Sequence, residues 1–144
     1  LFSIGRLDYD TTGIILLTND GDFSNYLCHP KNKIKKKYYV QTDNKLTNKE
    51  IEKIKSGINL SNKDYVKAII KYLCYKNSKH IWDIQLTEGK NREIKRIFNN
   101  YNISVTSIHR YEFSGIQLGK LKEGKYKRLN KQDMKLIKAK YAYI

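Results

Sequence analysis

The sequence predicts an α+β domain: a mixed or antiparallel sheet with flanking helices. Residues 80–87 and 105–113 alternate apolar and polar side chains with a period of two, as half-buried strands do. Residues 91–101 switch to the helical period, and Thr47 followed by Glu50 has the spacing of a helix capping box. Strands and helices thus alternate irregularly along the chain, which suits an α+β arrangement better than a repeating βαβ one.

Taken in order, the chain opens in a loop with no strand expected before Gly5. Ile14 to Thr18 reads as a short buried strand, and Asn19-Asp20-Gly21 as the turn that ends it. Asp22 is placed to cap a short helix that stops before Pro30, because the residue ahead of a proline disfavours helical geometry. Tyr38 to Thr42 is strand-like and is entered through Lys31, Lys33, Lys35, Lys36 and Lys37. The capping box and Gly57 as C-cap bound a helix over 48–56. Residues 65–73 and 80–87 read as strands; in the second, Trp82, Ile84 and Leu86 alternate with Ile81, Asp83 and Gln85. Ile94, Ile97, Phe98 and Tyr101 make the apolar stripe of the next helix, with Arg92, Lys95 and Arg96 as three neighbouring cations on its polar face. Val105 to Phe113 is a strand, Gly119 and Gly124 bound a charged loop, and Asn130 caps a C-terminal helix.

A chain of 144 residues fits one domain, which would bury roughly 70% of its unfolded surface. Its net charge of +15 is unevenly spread: residues 1–30 hold one arginine against four aspartates (Asp8, Asp10, Asp20, Asp22) and no lysine. A field this positive draws polyanions. No apolar run approaches the length of a membrane span, so nucleic acid is the expected partner and no membrane is involved. Cys28 and Cys74 belong to no CxxC pair, and with three scattered histidines they make no zinc spacing; both are expected as reduced, partly buried thiols.

Four segments could carry chemistry. Asp8 follows an Arg-Leu pair in a polar loop, with Arg6 nearby and a cationic domain behind it, so it stays ionised. Such a carboxylate serves as nucleophile, general base or metal ligand; the alternative is that Asp8 or Asp10 merely closes a turn with its side chain. Asp20-Gly21-Asp22 joins Asp8 and Asp10 in a magnesium site or is simply a strand–turn–helix junction. Lys31 to Tyr39 interleaves cations with aromatics, suited to phosphate contact plus base stacking, or it is a solvated lysine run. Glu88 to Arg92 is an anion site at a helix start or a plain basic face.

Four stretches, in order, resemble the RsuA/RluB family of ribosomal RNA pseudouridine synthases. GRLDYDTTGIILLTNDGDF from Gly5 is similar to the family's catalytic motif. KKYYV from Lys36, LTEGKNREIKRIF from Leu86 and VTSIHRYEFSGIQLGKLKEGKYKRL from Val105 are similar to the three that follow. The resemblance runs from Gly5 to about residue 137 and implies a pseudouridine-synthase-like catalytic domain acting on ribosomal RNA without a cofactor or metal, as a monomer. It implies that Asp8 attacks a flipped-out uridine, that Tyr38 packs on the base with Ile108 on the other side, and that Arg6 displaces the base or holds its phosphate. Lys95 stands where the family usually has an arginine paired with the essential aspartate; it supplies the charge without the bidentate fork. Thr12, Lys36, Lys90, Arg92, Arg96 and Arg110 complete the implied RNA-binding set. The family's upstream Lys-Pro motif and small S4-like RNA-binding domain have no match, so the resemblance implies an N-terminally incomplete catalytic domain. It further implies a bacterial cytoplasm or a bacterium-derived organelle.

Three functions compete at this point. One is isomerisation of a uridine, of the large subunit by the Asp-Tyr-Asp-Thr-Thr and His29-Pro30 details. Another is a non-catalytic RNA-binding or ribosome-assembly module. The third is magnesium-dependent phosphoryl transfer on the four aspartates.

Overall fold

A computed structural model describes residues 1–60, 64–89 and 92–141, with no side-chain description beyond residue 138. Strands β1 (Phe2–Ile4), β2 (Thr11–Gly13) and β3 (Leu16–Thr18) lead into helix α1 (Gly21–Cys28). A single 3-10 turn at Pro30–Asn32 precedes β4 (Lys36–Thr42), α2 (Asn48–Ser56), β5 (Ile58–Asn59) and β6 (Tyr65–Val66). The hairpin β7 (Ile69–Lys76) and β8 (Lys79–Leu86) follows, then α3 (Glu93–Asn99), β9 (Val105–Phe113), β10 (Ile116–Gln117) and α4 (Lys131–Tyr141). No described helix is long and apolar enough to cross a membrane.

The main sheet has the order β10-β9-β4-β8-β7, antiparallel throughout, and β2 adds to β9 in parallel. The sheet is therefore mixed, as predicted. Gly13 makes the parallel pairing fit: its φ is +124°, and a Cβ there would overlap the Arg110 backbone. Ile14 N–H then bonds Arg110 C=O at 2.9 Å. The β7–β8 turn is Asn77-Ser78, both at positive φ, which matches the right-handed twist of the strands it joins.

Two cores result. The first lies between one sheet face and helices α2 and α3, and it includes Val40, Ile54, Ile84, Ile97, Phe98 and Ile108. At its centre Trp82 is fully buried, packs edge-on to Tyr72 at 4.9 Å, and donates Nε1–H to Thr42 Oγ1 at 2.8 Å. Replacing Trp82 with Phe leaves the Thr42 hydroxyl one donor short and opens a void. We expect a loss of about 2–3 kcal/mol and a melting midpoint lower by roughly 5–10 °C, read by thermal denaturation. The second core joins Ile4, Leu16, Phe23, Leu27 and Phe113 to Ile116 of β10 and Ile137 of α4.

The helix over 48–56, its full capping box and its Gly57 C-cap stand where the spacing placed them. So do β9, the stripe of α3 and the Asn130–Asp133 cap of α4. Five expectations need correction. The strand expected over 65–73 is two, β6 paired with β5 and β7 paired with β8, because between them Ala68 N–H turns to the Ile54 carbonyl at 3.3 Å. A strand, β1, precedes Gly5; it pairs with β3, a partner twelve or more residues away that its three residues do not announce. The stretch 14–18 is no continuous buried strand: Ile14 and Leu16 are buried while Ile15 and Leu17 are exposed, because it forms an edge ribbon with one wet face. Asp20 caps α1 by accepting Phe23 N–H at 3.1 Å, and Asp22 sits within the first turn. Both cysteines are exposed, since Cys74 lies on the outer edge strand β7 and Cys28 ends α1.

Candidate active site

A cleft of about 590 Å³ opens at the seam between the two cores, within the size range of small-ligand sites. The loop 5–11, the end of α1, strands β4 and β9, and the start of α3 supply its walls. Five described cations (Arg6, Lys36, Arg92, Lys95, Arg110) face three carboxylates (Asp8, Glu88, Glu93), so the cleft favours an anionic ligand.

Asp8 opens a tight turn. Its backbone C=O accepts Thr11 N–H at 2.9 Å, so main chain closes the turn and the side chain is not needed for it. Among the described residues the Asp8 carboxylate has no hydrogen bond or ion pair. Its charge reaches the Tyr38 hydroxyl, which it pushes toward the protonated form. A half-buried, uncommitted carboxylate in a cationic cleft is equipped to act on a ligand rather than on the fold.

Strands β4 and β9 place three side chains on the same sheet face. Register pairs Tyr38 with Arg110 and Val40 with Ile108, so Tyr38, Ile108 and Arg110 all point toward the cleft. Burial raises the Tyr38 pKa above the ordinary tyrosine value, the Arg110 charge beside it pulling the other way, and the phenol remains protonated at neutral pH. Burial likewise lowers Arg110, which Tyr38 partly offsets. Arg110 is 3% exposed; it donates from Nε at 3.0 Å and Nη2 at 2.7 Å to the Ile14 carbonyl and lies 4.8 Å from the Phe113 ring centre. It is a structural anchor of the cleft.

Lys95 pairs with Asp10, not with Asp8. The correction has a simple origin: the turn carries Asp10 toward the α3 face that presents Lys95, and Asp8 faces the cleft. Arg96, expected beside Lys95, points away and bonds Asp64 at 2.7 Å, outside the cleft lining. Thr12 is outside as well, its hydroxyl 2.8 Å from His109 Nδ1. Arg92 is exposed at the cleft rim, in the left-handed conformation (φ 50°) with no side-chain cap. Lys90 lies outside the described residues. The four aspartates do not converge: Asp10 is tied to Lys95 and Asp20 to the α1 N-terminus. Among the described residues no group of three or more His, Cys, Asp or Glu side chains could hold a metal.

The loop clamp is testable without a substrate. Asp10 is half exposed, so Asp10→Asn should cost at most about 1 kcal/mol. Amide hydrogen exchange across residues 8–11 should nevertheless speed up measurably; unchanged exchange would mean that Lys95 does not hold the loop.

Glu93 was missed. It is 3% exposed, lines the cleft, and acts electrostatically on both Lys36 and Tyr38. The signal was there: Glu93 is four residues before Ile97 and so shares the buried stripe of α3.

A family model described as RNA pseudouridylate synthase matches residues 1–100. An uncharacterized RNA pseudouridine synthase of Borreliella burgdorferi is 39% identical over 127 residues, 88% of this chain and 49% of that protein. The ribosomal large subunit pseudouridine synthase B of Bacillus subtilis is 36% identical over 141 residues, 96% of this chain and 58% of that protein. The chain thus spans about half the length of the curated relatives it matches. A solved pseudouridylate synthase superposes with a TM-score of 0.83 at 29% identity, over 94% of this chain and 58% of that one. An H/ACA ribonucleoprotein bound to a substrate RNA containing 2'-deoxyuridine contains a chain that superposes at 0.60 with 13% identity, over 83% of this chain and 40% of that one, a likeness of fold alone.

Proposed function

Since the chain belongs to the RNA pseudouridylate synthase family, we propose that it converts a uridine of large-subunit ribosomal RNA to pseudouridine, with Asp8 as the nucleophile. The observation that carries this reading is the uncommitted Asp8 carboxylate in a cationic cleft walled by Tyr38 and Ile108. Chemistry on a stacked base requires its extrusion, at a cost of a few kcal/mol. An aromatic ring and an aliphatic side chain on one sheet face offset that cost by taking the base out of water. Asp8 attacks the extruded nucleotide, the N1–C1′ bond breaks, the uracil turns, and C5 joins C1′ as the bond to Asp8 breaks and returns its carboxylate. Arg6 and Arg92 at the mouth are suited to the flanking phosphates, and Arg110 holds the Tyr38 wall in place. The names of the relatives support ribosomal RNA of the large subunit as the substrate class.

Mapping pseudouridine in the ribosomal RNA of cells lacking the gene tests the proposal. One large-subunit uridine should lose its modification and regain it on complementation; an unchanged map overturns the assignment. RNA affinity should also be strongly salt-dependent. With several phosphate contacts, binding should weaken by roughly tenfold or more between about 50 and 200 mM salt. A flat titration would remove the basic cleft as the RNA contact.

A further inference from the structure

We infer that Lys36 takes the proton from C5 of the uracil and that Glu93 steadies the ammonium so formed; this role rests on the pseudouridine-forming reading of the cleft. The reaction breaks N1–C1′, forms C5–C1′, removes one proton from C5 and adds one to N1. When the new C–C bond has formed, the C5–H electron pair returns to the ring as its proton passes to the Lys36 amine. N1 then takes a proton back from the ammonium. Nothing is oxidised or reduced, and one group closes the cycle.

The other described groups in the cleft are poorly suited to accept that proton. Guanidinium groups of Arg6, Arg92 and Arg110 do not give up a proton to become bases. Lys95 is committed to Asp10 and Tyr38 holds its own proton, while Asp8, released as the C–C bond forms, is a carboxylate, intrinsically a weaker base than an amine. The Glu88 carboxylate is occupied in accepting the Lys67 amide at 3.2 Å.

Lys36, in contrast, is built inward. It stands two residues before Tyr38 on β4, opposite Phe113 of β9 and Leu86 of β8. Its Nζ is 3.3 Å from the Glu88 carbonyl oxygen, to which it donates, and 5.9 Å from the Phe113 ring centre. A Cβ on Gly89 would come within 3.3 Å of Nζ, so the missing side chain leaves the amine its space. A lysine kept only to hold phosphate would gain nothing from this enclosure.

The electrostatics agree. Burial is the main influence lowering the Lys36 pKa, and Arg110 on β9 adds to it; Glu93 on α3, Cys28 at the end of α1 and Glu88 after β8 oppose it. Asp8, Arg6 and Arg92 face the same cleft. A lowered lysine exchanges a proton more readily near neutral pH, the property a general base needs.

The test compares wild-type protein with Lys36→Met, Lys36→Arg and Glu93→Gln. We expect Lys36→Met to lower kcat by roughly 10²-fold or more with KM nearly unchanged. RNA deuterated at uridine C5 should then show an isotope effect on kcat that the wild type lacks. Lys36→Arg should not restore kcat, because a guanidinium cannot accept the proton. An NMR titration of the Lys36 side chain should give a midpoint below the other lysines, lower again in Glu93→Gln, where a carboxylate that favours the ammonium is gone. The low-pH limb of kcat should move with it. Full kcat in Lys36→Met, rescue by Lys36→Arg, a loss confined to KM or an ordinary midpoint overturns this role alone. A wild-type protein that forms no pseudouridine in ribosomal RNA overturns the reaction and the role together. Circular dichroism of each variant separates misfolding from loss of chemistry.

Discussion

Asp8→Asn should lower pseudouridine formation by roughly 10⁴-fold or more under single-turnover conditions, the scale of removing a nucleophile. The folded protein should barely notice. The turn is held by the Asp8 backbone carbonyl on Thr11 N–H, and the carboxylate has no partner among the described residues, so its loss breaks nothing. RNA affinity should stay level or rise slightly, because a negative charge leaves a cleft that already favours polyanions. Unchanged binding with abolished turnover separates catalysis from RNA attachment. Asp10→Asn is the matched control: the same chemical change two residues on removes the Lys95 clamp and should leave substantial activity. Asp8→Asn turnover within about tenfold of wild type would exclude the nucleophile role and favour a non-catalytic RNA-binding module.

What could be read from the sequence divides by the range of the interaction. The capping box of α2 and the stripe of α3 depend on residues three or four apart, so spacing alone located them. The alternation of β8 and β9 likewise reports one buried and one wet sheet face. Strands β1, β2 and β10 have two or three residues each and exist only because β3 and β9 offer an edge, so no local pattern marks them. The same limit applies in the site. Asp8, Tyr38, Ile108 and Arg6 do meet at one cleft, and the ordered motifs anticipated that grouping. Which aspartate Lys95 takes depends on how a four-residue turn rotates two carboxylates. Where Arg96 goes depends on Asp64, more than thirty residues upstream. Glu93 is legible from its four-residue helical spacing to Ile97, against the rule that charged residues are seldom buried.

Arg110→Met should cost about 3 kcal/mol of stability, because a buried carbonyl loses two charge-assisted donors. That corresponds to a melting midpoint lower by roughly 10 °C for a chain of this size. The damage should not be confined to stability. Ile14 directly follows β2, and β2 is the strand that receives the chain from the Asp8 turn. The guanidinium thus ties the far end of the Asp8 loop to β9 while its central carbon lies 4.8 Å from the Phe113 ring centre and its charge stands beside Tyr38. Turnover should therefore fall even at temperatures where the variant is fully folded. Arg110→Lys keeps the charge but offers no fork to hold one carbonyl through two N–H groups, so it should recover only part of the stability and little of the rate. Gly13→Ala supplies an independent route to the same outcome, since its Cβ would push β2 off the Arg110 backbone without touching the guanidinium. If Arg110→Met slows turnover and Gly13→Ala does not, the guanidinium acts on the substrate or on Tyr38. If both slow it alike, the seating of the loop on β9 is what the rate depends on.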